Sequence, residues 1–549
     1  MIMPRKHIYC VLFAGMFILA GFTLRLFAQQ PPARKSAMQQ VGAGAGGANA
    51  TSKKDASLAF IAGNYNVALP GYIDLQKRKP KNTENNFRLG VCYLNTNVDK
   101  TKAISYLEYT YKQKDAPRET IYYLAKAYHL ANRFDEAIDL YEKCKEISGL
   151  GKLLPKEDID REIEMCENGK DMVKNPVSVK FENAGKLINS PYADYNPFIS
   201  ADESILVFSS RRKGNQGNVV DDAIGNYTCD IYISYMRDGK WTKAKSIGPA
   251  INTSYDESVV GISPDGQRVM IYMENEIADA DIYMSTLKGK SWQKPLSLGP
   301  NVNSEEVESG ACVSADGKTL YFSSFLKGRG IGGEDIYMSN LLPNGNWGVP
   351  INLGPTVNTA EDERAPYIHA DGKTLYFSSK GHNSMGGFDI FKTEYDEKTR
   401  MWSDPENVGY PINTSDDNLY FSLSVQGKYS YVSAVRPEGM GDLDIYKVTF
   451  VDVPKNNYMT LIKGNIVTPD NSTNFNMTVQ YTNKQTGEMI GQYTPVATTG
   501  KFIIASRPGT YTISVESSSY APFSVDIVIP EDNQPQLISQ PVNLVLPSK

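Results

Sequence analysis

The sequence predicts a multidomain, mainly β chain in which a stack of paired helices precedes a five-bladed β-propeller and a C-terminal β-sandwich. Three observations carry that expectation. Apolar residues between 51 and 172 recur at helical spacing. All four tryptophans occupy one position of a longer unit that repeats between 177 and 452. The stretch 455–549 alternates apolar and polar residues in short runs broken by Asn, Gly and Pro. A chain of 549 residues exceeds one ordinary core and suits about three domains.

The first residues read as an address rather than a fold. Arg5 and Lys6 precede an apolar run from Ile8 to Leu24, and the small residue Ala28 follows. This is the pattern of a secretory signal over 1–28, cleaved near Ala28–Gln29. An uncleaved anchor is the alternative, because the run reaches the low end of a membrane span. Residues 29–50 are Gly/Ala-rich without an apolar face and read as a flexible linker. Export fits a cysteine set with no metal signature: beyond Cys10, only Cys92, Cys144, Cys166, Cys229 and Cys312 remain, widely spaced. Free buried thiols are expected, with a Cys144–Cys166 bridge as the conceivable exception. A net charge of −5 gives no basic footprint for nucleic acid. The four histidines (His7, His129, His369, His382) stand at unrelated positions and suggest no metal site.

Within 51–172 a unit of roughly 34 residues repeats. Ala68, Ala103 and Ala137 correspond, followed four positions later by Tyr72, Leu107 and Tyr141. Leu89–Gly90 with Tyr93 matches Leu124–Ala125 with Tyr128, and Pro80 and Pro117 close the first two units. Small residues let paired helices approach and larger ones fill the gap, so the pattern is one of packing. A further amphipathic helix near Lys156–Met172 is expected to cap the stack.

The longer unit is the strongest signal. Eleven residues after Trp241, Trp292, Trp347 and Trp402 come Asn252, Asn303, Asn358 and Asn413. Thirteen further on stand Asp265, Asp316, Asp371 and Gln426, each followed by Gly, and Asn189 with Asp202 begins an earlier copy. Each copy ends in Asp-Ile-Tyr/Phe, at Asp230, Asp281, Asp335, Asp389 and Asp444. The unit reads as four short antiparallel strands with an Asp-Gly hairpin, which buries its faces only by radial stacking. The last copy lacks a Trp strand, and Val177–Leu187 sits where one would precede the first copy. That segment is expected to complete the last blade, closing five blades; six is the alternative count. The tryptophans and the Asp of Asp-Ile-Tyr are expected to be structural. Five residues after each Asn lies an acid, Asp194, Glu257, Glu308 and Glu363, with Asn418 breaking the series. These acids are candidates for an acidic ring at one propeller mouth, able to take a cation or basic segment. The competing reading is that each bonds a neighbouring blade's backbone. The insertion Arg211–Thr228 lengthens one turn of the first blade and is a candidate contact loop.

Three resemblances follow. The helical segment resembles tetratricopeptide repeats, which implies a groove for another protein. The core Ser314–Ser324 (Ser-Ala-Asp-Gly-Lys-Thr-Leu-Tyr-Phe-Ser-Ser) is similar to PD40 (WD40-like) repeats, also seen in TolB-like proteins. Lys463–Gly464, Thr486–Gly487–Glu488, Thr499–Phe502 and Pro508–Tyr511 resemble the carboxypeptidase-regulatory-like sandwich, which implies binding or spacing without peptidase chemistry. The order of the three resembles PorE-like periplasmic proteins of type IX secretion and gliding, and the wider OmpA family of envelope proteins. Those relatives continue into an OmpA-like peptidoglycan-binding domain; this sequence ends at Lys549, so the resemblance does not carry peptidoglycan contact over. It implies an exported, periplasmic, outer-membrane-associated adaptor whose partners are envelope or secretion-system proteins. No Ser/His/Asp set, nucleophile elbow or phosphate loop is visible, so neither enzyme activity nor a cofactor is expected. The alternatives are a glycan- or peptide-binding module using a propeller mouth and, last, a propeller hydrolase, for which His369 and nearby acids are the faint candidates.

Overall fold

The computed structural model describes residues 53–147, 155–221, 225–274, 280–451, 459–470, 475, 477–496, 499–530 and 542–547. The signal segment 1–28, with Cys10, and the whole linker 29–50 therefore lie outside the described residues. The chain divides into two compact units, the first ending at Lys174 and the second taking most of the rest from Asn175.

The first unit is helical: α1 (Lys53–Ile61), α2 (Tyr65–Arg78), α3 (Thr83–Leu94), α4 (Ala103–Tyr111), α5 (Thr120–Leu130), α6 (Phe134–Glu146) and α7 (Lys156–Lys174). Asn64 and Asn82 cap α2 and α3 by accepting from Val67 N (3.2 Å) and Asn85 N (2.8 Å). Ala68, Ala103 and Ala137 are fully buried, with Leu107 and Tyr141 beside them. Gly90 shows why small residues recur, since a Cβ there would lie 2.6 Å from Leu107 Cγ. Pro80 follows the end of α2, whereas Pro70 stands inside that helix, where the sequence pattern gave no warning. On α7, Glu162 accepts from Tyr141 Oη (3.1 Å) and Tyr122 Oη (3.3 Å), and His129 Nδ1 stands 3.3 Å away. Burial pushes this carboxyl up, but Lys126, His129 and Tyr141 outweigh it and hold it at about 2.

The second unit holds five antiparallel sheets that share a strand order. From the inside outward, the first is Asp194–Ile199, Ile205–Ser210, Asp230–Arg237 and Lys240–Trp241. The second begins at Glu257–Ile262, the third at Glu308–Val313 and the fourth at Glu363–Ile368. The fifth contains Ser422–Leu423, Tyr429–Ala434 and Asp444–Phe450, and its outer strand is Val179–Asn183, paired in register from Val179–Phe450 to Asn183–Tyr446. The chain's early segment thus completes its last sheet and removes an open edge.

Alternating strand faces give each neighbouring pair of sheets its own apolar cluster. Val207 and Ile231 meet Val259 and Ile271 between the first and second sheets. Met270 and Ile282 meet Ala311 and Phe322, then Tyr321 and Ile336 meet Leu375 and Phe391. Tyr376 and Ile390 meet Val432 and Val448, and Tyr431 and Ile445 return to Leu206 and Phe208 of the first sheet. The contacts close a ring of propeller type. The outer-strand tryptophans lie in this packing: Trp241 Nε1 donates to Tyr431 Oη at 2.9 Å, and Trp402 meets the Tyr321 ring edge-on. Phe181 takes the corresponding place in the fifth sheet.

Two further sheets form the C-terminal sandwich. One is Lys501–Ser506, Thr460–Val467 and Val542–Val545; the other is Met489–Tyr493, Thr478–Asn483, Gly509–Glu516 and Phe523–Ile529. Ile462, Val479, Tyr481, Ile504, Ile513 and Leu544 fill the space between them. Cys92, Cys144, Cys166, Cys229 and Cys312 are all buried and free, so Cys144 and Cys166 form no bridge.

Candidate functional site

The innermost strands all run the same way, so the acids begin them at one end of the ring and the Asp-Gly turns follow them at the other. Asp194, Glu257, Glu308 and Glu363, the candidates for an acidic ring at a propeller mouth, are fully buried. Each closes its own inter-sheet loop. Ser190 N and Oγ donate to Asp194 at 2.6 and 2.8 Å. Ser304 N and Oγ donate to Glu308 at 3.2 and 2.7 Å, and Thr359 does the same to Glu363 at 2.8 and 2.7 Å. Thr253 serves Glu257, with its N–H at 2.9 Å. Asn418 breaks the charge series but not the bond, since its Oδ1 accepts from Thr414 N at 2.7 Å. Burial pushes Glu257 up to about 8, Glu363 to about 7 and Glu308 to about 6.

The bonds to neighbouring sheets come from residues beside the acids. Asp362 Oδ1 accepts from Glu334 N and Asp417 Oδ1 from Phe388 N, both at 3.0 Å, and Asp256 likewise takes Cys229 N. The repeat asparagines act as clamps. Asn413 accepts from Ile390 N and donates to Ile390 O, both at 2.8 Å. Asn358 does so with Ile336 (2.8 and 3.0 Å), Asn303 with Ile282 (3.2 and 2.9 Å) and Asn252 with Ile231 (3.0 Å each). Asn189 completes the set on Ile445, at 2.9 and 3.0 Å, across 256 residues of chain. A relay runs on from the clamp in three sheets: Asn413 to Asn407 to Asp389, Asn358 to Asn352 to Asp335, and Asn189 to Asn183 to Asp444. In four of the Asp-Ile-Tyr/Phe strands the Asp also accepts a turn amide: Gln216 N for Asp230 (2.9 Å), Ile331 N for Asp335 (2.6 Å), Met385 N for Asp389 (2.8 Å) and Met440 N for Asp444. Asp281 opens the matching strand, Ala280–Lys288.

A polar set at the acids' end keeps its place but changes its chemistry: Tyr195 and Ser258 reach the Cys229 thiol, whereas the matching positions of the third and fourth sheets hold an ion pair. Arg364 Nη2 donates to Glu334 Oε1 at 2.6 Å, Ser309 Oγ donates to the same carboxylate, and Tyr420 Oη reaches Ser309 O at 3.4 Å. Arg364 and Lys380 lie 5.1 and 4.6 Å from the Phe388 ring, and Lys380 Nζ pairs with Asp362 at 3.1 Å. Arg364 Nε is buried without a hydrogen-bond partner. Across the ring, Arg211 pairs with Asp256 at 3.1 Å, and burial with the Asp256 charge pushes Glu274 up to about 7. Arg211 opens the inserted loop, where Val220–Asp221 pairs with Asn226–Tyr227. Sequence reading missed Glu334 and Arg364 because each occurs once at its repeat position, and Ser309 because a serine there, as at Ser258, carries no charge to notice; the only signal was departure from the repeat.

His369 is at the opposite end, 3.5 Å from Asp371. Burial raises the Asp371 carboxyl, but His369 and turn amides outweigh it and hold it well below the usual range. Among the described residues no group of His, Cys, Asp and Glu is arranged to hold a metal ion, and no helix is long and apolar enough to cross a membrane.

Neither a protein-family model nor a curated protein matches the chain. Among solved structures it is similar to a glycoside hydrolase, at TM-score 0.36 and 10% identity over 52% of this chain and 95% of that one. It is similar to β-1,2-mannobiose phosphorylase from Listeria innocua, at TM-score 0.32 and 9% identity over 49% and 96%. The WD40 repeats of RRP9 follow at TM-score 0.26 and 9% identity over 50% and 97%. These likenesses are to propeller-type folds and add nothing to the sheet pairings already described.

Proposed function

We propose that the chain is an exported, non-enzymatic adaptor of the cell envelope, lodged in the periplasm near the outer membrane. In this reading the five sheets are a complete five-bladed propeller, and α1–α7 are a tetratricopeptide-like stack offering a groove to envelope or secretion-system proteins. One observation carries it. The repeated carboxylates are buried with their oxygens bonded inside the loops they close, which commits them to the fold rather than to a ligand. Function is then left to surfaces. Crosslinking in living cells followed by mass spectrometry, on the full chain and on a form lacking 51–172, tests this. Defined envelope proteins recovered only with the helices support the groove. Equal recovery without them refutes the groove, and recovery of no protein refutes the adaptor.

A second reading has its own observation. The Glu334–Arg364 ion pair occurs once among the matching positions of the ring, where Cys229 and Ser258 stand in the earlier sheets, as a ligand site would. A glycan or peptide bound at that end would lose at least about tenfold in affinity on Arg364→Gln, the effect of roughly one charged hydrogen bond. Calorimetric screening of glycans and peptides against the full chain checks it.

A further inference from the structure

We infer that the C-terminal sandwich is a stopper seated over the Asp-Gly-turn end of the ring, so that the axial channel opens only at the acids' end. This goes beyond the adaptor reading and does not depend on any partner.

The argument starts from where the contacts fall. Each innermost strand is joined to its neighbour by a tight turn, and these turns share one end of the ring. Lys463 of the sandwich pairs with Asp202, in the turn of the first sheet, at 3.1 Å. Ala315, in the third sheet's turn, packs on the sandwich core, and Lys318 beside it donates to Gln492. Arg507 approaches Asp371, in the fourth sheet's turn, at 3.8 Å. Val425 of the fifth sheet's turn and Ala370 of the fourth are buried in one cluster with Met459, Leu461 and Ala505, with Ala201 of the first sheet against it.

Four of the five sheets are therefore touched, and they do not lie on one side. A module docked on the ring's flank would meet one sheet or two adjacent ones. Contact with the first, third, fourth and fifth turns requires the sandwich to lie across the axis. The interface is also of a kind that holds. Met459 and Leu461 are buried on it, at 4% and 1% exposure. The Asp202 and Asp371 carboxylates are fixed by their own turns, through Ser204 N (3.1 Å) and Lys373 N (2.9 Å), so the Lys463 and Arg507 cations meet preorganised partners. The two ends of the six-residue innermost strand Glu308–Val313 are separated by about 17 Å. The Ser309–Glu334–Arg364 set is thus at the end the sandwich leaves uncovered.

Thiol accessibility in the full-length chain tests the stopper. With Cys10 replaced by Ser, the remaining cysteines are buried and silent. Ala315→Cys places a thiol under the sandwich, and Phe325→Cys places one at the other end of the same sheet, where Phe325 is 43% exposed. A bulky maleimide–polyethylene glycol should modify Ala315→Cys roughly a hundredfold more slowly than Phe325→Cys, because labelling awaits local opening. Lys463→Glu with Arg507→Glu sets like charges face to face and should speed the Ala315→Cys reaction about tenfold while leaving Phe325→Cys unchanged. Equal rates for the two single cysteines overturn the proposal. A second measurement stands if Ala315→Cys disturbs the turn: a short bis-maleimide should bridge Lys318→Cys to Gln492→Cys in the native chain. No bridge there also overturns it.

Discussion

Asn189 offers the sharpest test of how the ring is closed. Its side chain accepts from Ile445 N at 2.9 Å and donates to Ile445 O at 3.0 Å, joining residues 256 apart in sequence. Asn189→Ala leaves the buried Ile445 N–H without a partner, while Ile445 O keeps Ala184 N at 3.0 Å. An orphaned buried group costs about 1–3 kcal/mol, so the loss is of that order. Asn413→Ala removes the same two bonds from Ile390 and should cost a similar amount. The two differ in what they release. Asn189 also anchors Asn183 of the closing strand at 2.9 Å, so its loss should free the segment 177–188 to proteolysis, whereas Asn413→Ala should not. Urea unfolding followed by tryptophan fluorescence reads the first quantity, since Trp241 stands against Tyr431 across the closure. Limited proteolysis with mass spectrometry reads the second. A stability within about 0.5 kcal/mol of the native chain, or early cleavage equal in both variants, refutes the clamp as the closing device.

Gly386→Ala should destabilise by about 2 kcal/mol or more, because a Cβ there would meet Thr414 O and the Ser415 backbone of the next loop, and backbone cannot yield; thermal unfolding measures it. Glu162→Ala should detach α7, removing the acceptor shared by Tyr141 and Tyr122 and costing about 3 kcal/mol, seen as faster amide exchange in α7 with the second unit unchanged. Stability should fall as pH rises from about 5 to about 8. Burial lets Glu257 hold its proton up to about 8 in the folded chain against an ordinary 4.5, so the favourable form is complete below the lower value and lost through the higher. Glu257→Gln should flatten that slope, and denaturant midpoints across the range check both.

Much of the ring was legible because each blade repeats its solution. The spacing from Asn to acid to Asp-Gly marks loop, innermost strand and hairpin, and the missing Trp before the first copy points to Val177–Leu187 as the closing segment. The same sequence left Asp194, Glu257, Glu308 and Glu363 open between a ring at a mouth and a structural bond. An acid at the head of an innermost strand looks exposed when only strand positions are known. The residue that takes it out of solvent is the Ser or Thr directly after each Asn, at Ser190, Thr253, Ser304 and Thr359, a repeat as regular as the acid but silent without a partner in view. Contacts between modules, such as Lys463 with Asp202, carry no periodic signal at all.

Asn418 separates what the repeat conserves from what it leaves free. It lacks the charge of the four acids yet keeps the bond to Thr414 N, so the fold requires an acceptor at that position rather than a carboxylate. An acceptor buried in a loop acts on stability. The next position along the innermost strand behaves differently: Tyr195, Ser258, Ser309, Arg364 and Leu419 range from a hydroxyl to a cation to an apolar side chain. Tyr195 and Ser258 both reach the Cys229 thiol, as Ser309 and Arg364 both reach Glu334, so the ring keeps the contact and changes its chemistry. A ring built from like parts can distinguish one direction from another only through such departures. Substitutions at the repeated positions should therefore move stability, and substitutions at Ser309, Glu334 and Arg364 should move recognition at the end the sandwich leaves open.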